Sequence, residues 1–173
     1  MSIIIYESGM YFGPYPDEDC FELEKSAIYQ QIKQGVMMAE FALVRRSKDK
    51  PPIVWLVEAK SSSPKPATQP NFNEFIEEIR QKLTNALHMV LAARLERYSE
   101  SINDLPAGFR ALSLQEEFKL VLVVNKHRED WLPPLQDELN SVFAVLCKTF
   151  GLKPSSVAVI NDEKARSLRL IQS

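Results

Sequence analysis

Two ionisable side chains stand two positions apart in Glu58-Ala59-Lys60, directly after the apolar run Ile53-Val54-Trp55-Leu56-Val57. Such a run predicts a buried strand, and a strand's period of two sends Glu58 and Lys60 out of one face while Ala59 takes the other. Charges are rare in a strand this apolar unless they are paired, solvated or employed. Employment has a definite chemistry here. Carboxylates from two neighbouring strands, with an adjacent lysine, are what a magnesium-dependent phosphodiesterase needs. Magnesium takes hard oxygen ligands and keeps several waters, so two or three carboxylates hold it against a phosphate. The cation offsets phosphate charge and acidifies a water, and an amine orients that water or stabilises the transition state. On this reading Glu40 and Glu58 bind the metal and act with Lys60, the catalytic amine, and Glu24 is a further carboxylate completing the site. The cofactor expected is Mg²⁺ or Mn²⁺. The plainer reading makes Glu58 and Lys60 a same-face ion pair contributing at most ~1 kcal/mol, Glu40 an edge charge that discourages sheet aggregation, and Glu22 and Glu24 solvent-facing residues.

The elements that must position these groups follow from periodicity. Val36 to Arg46 reads as a strand, and Ser47 to Pro52 as a long polar loop leading into the Ile53 to Lys60 strand, which together make an antiparallel hairpin. Opposed residues then share a face. Glu40 opposite Glu58 or Lys60 brings all three groups together, and Glu40 opposite Ala59 separates them. Both registers are compatible with a loop of that length.

Elsewhere, Ser2 to Tyr6 suggests an edge strand and Gly13-Pro14-Tyr15-Pro16 a loop. Cys20 to Glu24 alternates, with Phe21 and Leu23 on one side. Ser26 caps a short helix over 27–34 that Gly35 ends. A Ser/Pro-rich link, 61–70, precedes a capping-box-like Asn71 and Glu74, and the apolar spacing of Phe72, Ile76, Ile79, Leu83, Leu87 and Val90 predicts a helix to about Tyr98. It would be ~40 Å long. Residues 99–117 lack a period and read as a lid, an insertion or a hidden short helix. Phe118 to Asn125 is a strand buried on both faces. A helix starts near Pro133, with Asp130 as cap, and stops at Gly151. Val157 to Ile160 is a last strand, and Asn161 or Asp162 opens a terminal helix.

The chain has 173 residues, 45% hydrophobic and 25% charged, which suits one globular domain over 1–173 with its core at about 20–161. Cys20 and Cys147 have no metal-ligand spacing, and with no basic n-region and no apolar run of ~18 residues the expectation is a cytoplasmic protein without a membrane segment. Net charge is -2, but its distribution is uneven. Glu7 to Glu24 holds six acids and no base, whereas Arg45 to Lys65 holds six bases and two acids. Each run alone suits a solvated face. Together they also suit an acidic metal pocket beside a phosphate-binding rim. Glycine-rich phosphate loops and nucleophile elbows are absent, and only His88 and His127 are available for a histidine-based site. Lys126-His127-Arg128 reads as a basic loop, and Trp131 as a packing anchor.

Hairpin strands carrying an acid and then Glu-x-Lys, followed by a long helix and another apolar strand, resemble the PD-(D/E)xK nuclease superfamily over roughly Glu24 to Asn125. The resemblance implies an α/β fold with a mixed sheet flanked by helices, a restriction-endonuclease-like core. It also implies divalent-metal-dependent cleavage of DNA or RNA and, in many members, a homodimer. Two departures stand out. Glu40 replaces the usual aspartate, and two strands are legible between the first two helices where the family has three. The alternative is a non-catalytic nucleic-acid- or protein-binding member of the same fold.

Overall fold

A computed structural model describes all 173 residues, Met1–Ser173. Its centre is a five-stranded mixed sheet flanked by helices, in the order β3 (Cys20–Glu22), β4 (Phe41–Ser47), β5 (Lys50–Lys60), β6 (Glu117–Val124), β7 (Val157–Asn161). The first three strands are antiparallel neighbours, and β5, β6 and β7 run parallel. A separate hairpin, β1 (Ser2–Glu7) and β2 (Met10–Pro16), lies outside this sheet.

The sheet is buried on both faces, as the apolar run of β6 requires. Even-numbered residues of β5, Val54 and Leu56, join a core with α2 (Asn71–Arg94) and α5 (Leu132–Phe150). Odd-numbered Trp55, Val57 and Ala59 join a second core with Ile5, Phe12 and Tyr15 of the hairpin and Leu170 near the C-terminus. Strand alternation thus decides which cover each β5 side chain meets.

Several boundaries differ from expectation for physical reasons. Residues 13–16 are strand rather than loop, paired through Tyr15 and Pro16 with Ile3 and Ser2. β4 starts at Phe41 rather than Val36. Side chains take the carbonyls a neighbouring strand would otherwise need: Tyr29 Oη donates to Val36 O at 2.9 Å, and Asn85 Nδ2 to Met37 O at 2.8 Å. The 47–52 loop is a two-residue turn, Lys48-Asp49, with Asp49 at φ 66 and Ser47 paired to Lys50. Pro51 and Pro52 fit in β5 because its ladder with β6 begins only at Ile53.

The helices are also trimmed. Ser26 caps the start of α1 (Ala27–Ile32) by accepting from Tyr29 N, and the helix stops two residues short of Gln34, with left-handed Gly35 beyond it at φ 74. Asn71 lies inside α2 rather than capping it, with Pro70 at the cap position, and α2 stops at Arg94, before a left-handed Glu96 at φ 53. Its 24 residues span ~36 Å. Residues 99–117 contain α3 (Ser101–Asp104) and α4 (Ala107–Arg110), and Leu105, Phe109 and Leu112 from this stretch are buried in the α2 core. Asp130 pairs with Arg128 instead of capping α5, which ends as expected at left-handed Gly151. Asn161 caps α6 (Asp162–Ser167) by accepting from Lys164 N at 2.9 Å. No helix is long and apolar enough to cross a membrane.

Candidate functional site

The register between β4 and β5 decides where Glu40 goes. Phe41 opposes Val57, so the same constant sum sets Glu40 opposite Glu58. Glu40 lies just before β4, yet its backbone is held on both sides. Its N–H donates to Val57 O at 3.0 Å, and its carbonyl accepts from Leu23 N at 3.3 Å. Phe41 belongs to the hairpin-side core and Ala42 to the helix-side core, so alternation carries Glu40 to the α2 face, the face of Glu58. This is the register that brings the three predicted groups together.

Glu58 is 0% exposed. Its Oε1 accepts from Lys82 Nζ at 2.8 Å and lies 3.5 Å from Lys60 Nζ. Its Oε2 is buried with no hydrogen-bond partner. Lys60 in turn pairs with Glu78, and Lys82 lies 3.7 Å from the same carboxylate. Two lysines and two glutamates thus interlock at the carboxyl end of β5. The sequence did not single out Glu78, and it left Lys82 of the long helix open to two readings, within reach of the site or on a solvated face. Their four-residue spacing, each next to a buried position at Ile79 or Leu83, was the available signal.

The titration behaviour follows from this packing. Burial pushes Glu58 up, against the pull of Lys82 and Lys60. Glu40 is pushed up to about 8, first by burial and then by the negative charges of Glu58 and Glu7, which Lys82 offsets in part. Burial alone would lower Lys82, but Glu58, Glu40 and Glu78 outweigh it and hold the ammonium above its ordinary value. Burial likewise works to raise Glu78, and the hydrogen bond and charge of Lys60, with Lys82, hold it below the usual carboxylate range. With Glu40 raised to about 8, the carboxylates of Glu58 and Glu78 face two ammonium groups at neutral pH, and a cation at Glu40 would have to displace its proton.

The fourth predicted residue stands apart. Glu24 lies exposed in a 3₁₀ turn, Leu23–Lys25, and is the weakest of the four carboxyl and amine influences on Glu40 after burial. No three His, Cys, Asp or Glu side chains come close enough together to hold one metal ion. The expected three-carboxylate set of Glu24, Glu40 and Glu58 is corrected to a pair. Glu40 and Glu58 remain on one face, and a magnesium ion needs only one or two protein carboxylates, completing its shell with waters and substrate oxygens. The unpartnered Oε2 of Glu58 is the protein oxygen best placed to serve.

Other candidates separate cleanly. His88 is exposed on α2. Asn85 holds the segment before Glu40 rather than entering the charged cluster. Both cysteines are buried and free, and burial, with the charge of Glu22, pushes the Cys20 thiol up to about 12, leaving no thiolate nucleophile there. The tip of the β1–β2 hairpin closes the same end of the sheet. Asn125, just after β6, donates to Ser8 O at 2.9 Å, and a Cβ on Gly9 would come within 2.8 Å of that amide. Gly9, at φ 78, is therefore fixed by both conformation and space.

Comparison with family models, with curated proteins and with solved structures finds no match for this chain. The functional reading rests on the site itself.

Proposed function

We propose that the carboxyl end of β5 is a divalent-cation-dependent phosphodiesterase centre acting on DNA or RNA, in the arrangement of the PD-(D/E)xK nucleases. The observation that carries the proposal is the meeting of Glu40 and Glu58 on one face, with Glu58 Oε2 buried and unpartnered. A buried carboxylate oxygen left without a donor costs ~1–3 kcal/mol, more when charged, and a cation is the ligand that removes this cost. The order of three antiparallel strands followed by two parallel ones, with a long helix between β5 and β6, also supports the reading. β3 supplies a third antiparallel strand, although it precedes α1 rather than following it.

In this reading Glu40 and Glu58 hold Mg²⁺ or Mn²⁺. When bound, such a cation offsets phosphate charge and makes a water more acidic. Lys60 exchanges its Glu78 partner for a phosphoryl oxygen and donates to it as negative charge develops. Lys82 favours the ionised form of Glu58 against the effect of burial and fixes the carboxylate's orientation through Oε1. The burial around Glu58 strengthens each of these interactions by excluding water.

Calorimetric titration with Mg²⁺ and Mn²⁺ tests the site: wild type binds and Glu58→Gln does not. Cleavage of plasmid and single-stranded substrates then tests the chemistry, with Lys60→Ala retaining cation binding and losing cleavage. A second reading draws on a specific observation, the closed ring of Glu58, Lys60, Glu78 and Lys82. It makes the chain a binding protein whose charges are internally satisfied. Absence of cation binding in both proteins selects this second reading.

A further inference from the structure

A cavity of about 450 Å³ lies between the link after β5 and the segment after β6, lined among others by Ser63, Lys65, His127, Asp130 and Trp131. Ligands of open α/β sheets bind outside the carboxyl ends of their strands, and this cavity lies where β5 and β6 both deliver their following loops. Trp131 is 44% exposed there. Cations surround its ring, with the Arg128 guanidinium 5.1 Å and the Lys65 ammonium 5.9 Å from the centroid. His127 packs edge-on at 5.5 Å, and its Nε2 is buried without a hydrogen-bond partner.

We propose that this cavity receives one unpaired nucleobase of a single-stranded nucleic acid, stacked on Trp131, with the adjoining phosphate met by Lys65. An indole face offers sequence-tolerant stacking, and cations at its edge supply the phosphate contact, the combination found in single-strand binding. The two cations have different roles. Arg128 is held by Asp130 through two hydrogen bonds of 2.9 Å, so it stays at the ring. Lys65 is exposed and makes no ion pair, so it is free to leave the indole face to an incoming base. The unpartnered His127 Nε2 and the Ser63 hydroxyl offer polar contacts to the base edge.

The cavity is also continuous with the charged centre. Ser63 and Pro64 line both it and a shallow groove that runs along α2 to Glu78, the partner of Lys60. The assignment rests on the nucleic-acid reading above but not on hydrolysis.

Its test is intrinsic tryptophan fluorescence in the presence of a chelator, with oligothymidylate, a duplex of equal length and inorganic polyphosphate as probes. Oligothymidylate is expected to quench Trp131 and, read by the fluorescence anisotropy of a labelled oligothymidylate, to bind at least about five-fold more weakly to Trp131→Leu. Lys65→Ala, which removes no packed side chain, should keep the quenching and reduce its salt dependence. Duplex and polyphosphate should leave the fluorescence unchanged. Equal quenching by duplex and single strand, or none by either, overturns the proposal. Quenching that persists in a protein shown to neither bind metal nor cleave supports this pocket and removes only the nuclease reading. Cleavage without quenching does the reverse.

Discussion

Two buried carboxylates at opposite ends of the β3–β4–β5 ladder are treated in opposite ways. Asp19, just before β3, accepts from Arg46 Nε at 3.2 Å through each of its oxygens and from Nη2 at 2.9 Å through Oδ1. Gly108 of α4 closes over it, so that a Cβ there would come within 2.2 Å of Oδ1. Glu58 has two lysines at one oxygen and no donor at the other. Both carboxylates are desolvated, but only Asp19 has its hydrogen-bonding capacity used up inside the fold. The planar fork of arginine can cover both oxygens of a carboxylate, whereas a lysine acts as a point charge and leaves one free. Asp19 is thus built as an anchor and Glu58 as a receptor.

The largest effect should come from breaking this contrast at Lys82. Lys82→Ala leaves Glu58 buried with Lys60 alone, 3.5 Å away, and should lower stability by ~3 kcal/mol in urea denaturation without added cation. Glu58→Leu with Lys82→Met should recover most of that loss, because a buried pair is replaced by apolar volume. If Glu58 is a receptor, added Mg²⁺ raises the midpoint of Lys82→Ala more than that of wild type. An equal rise would make Lys82 irrelevant to the site.

At Asp19 the vulnerable point is steric. Gly108→Ala pushes a methyl against the Asp19 carboxylate and the Glu18 carbonyl, 2.2 and 2.6 Å from the ideal Cβ position. Overpacking of this kind should cost ~1–3 kcal/mol. Cation binding at Glu58 should be unchanged in this variant, as measured by calorimetry.

The contrast also explains what the sequence made legible. Apolar runs fixed β5 and β6 because burial on both faces leaves a continuous pattern, and the Glu58/Lys60 face followed from alternation alone. The register of Glu40 was not legible, because it depends on Asp49 adopting a left-handed turn that shortens a six-residue loop to two. Glu24 follows its solvent-facing reading rather than its metal-binding one, because the backbone turns into a 3₁₀ helix at the end of β3 and leaves its side chain exposed. Lys82 and Glu78 were hidden by a different problem. A Glu/Lys pair four residues apart on a helix has the same pattern whether it faces water or a strand carrying the opposite charges.

A smaller effect should mark Glu40 in the pH profile. Its carboxyl is raised from 4.5 to about 8 in the folded protein, so the folded state holds this proton more tightly than the unfolded chain. The resulting stabilisation is complete below the unfolded value and is lost as pH rises through the folded one. Between about pH 4.5 and 8, Glu40 should therefore contribute a decline in stability with rising pH in cation-free protein, reduced by the solvent screening of a carboxyl that is only partly buried. Glu40→Gln should flatten this part of the profile, and saturating Mg²⁺ should flatten it in wild type. Asp19, which already has its cation, should show no Mg²⁺-dependent change when replaced by Asn.

The smallest effect isolates positioning from ligation. Asn85 touches neither carboxylate and holds only the Met37 carbonyl, at 2.8 Å, three residues before Glu40. Asn85→Ala should cost ~1 kcal/mol of stability, the worth of one neutral hydrogen bond. Because the backbone of Glu40 is still held by Val57 and Leu23, the mutant should bind cation with the same stoichiometry and a weaker affinity. Unchanged affinity would mean that the bonds to Val57 and Leu23 suffice to set the Glu40 carboxylate. Complete loss of binding would mean that the receptor is assembled from α2 rather than from the β4–β5 ladder.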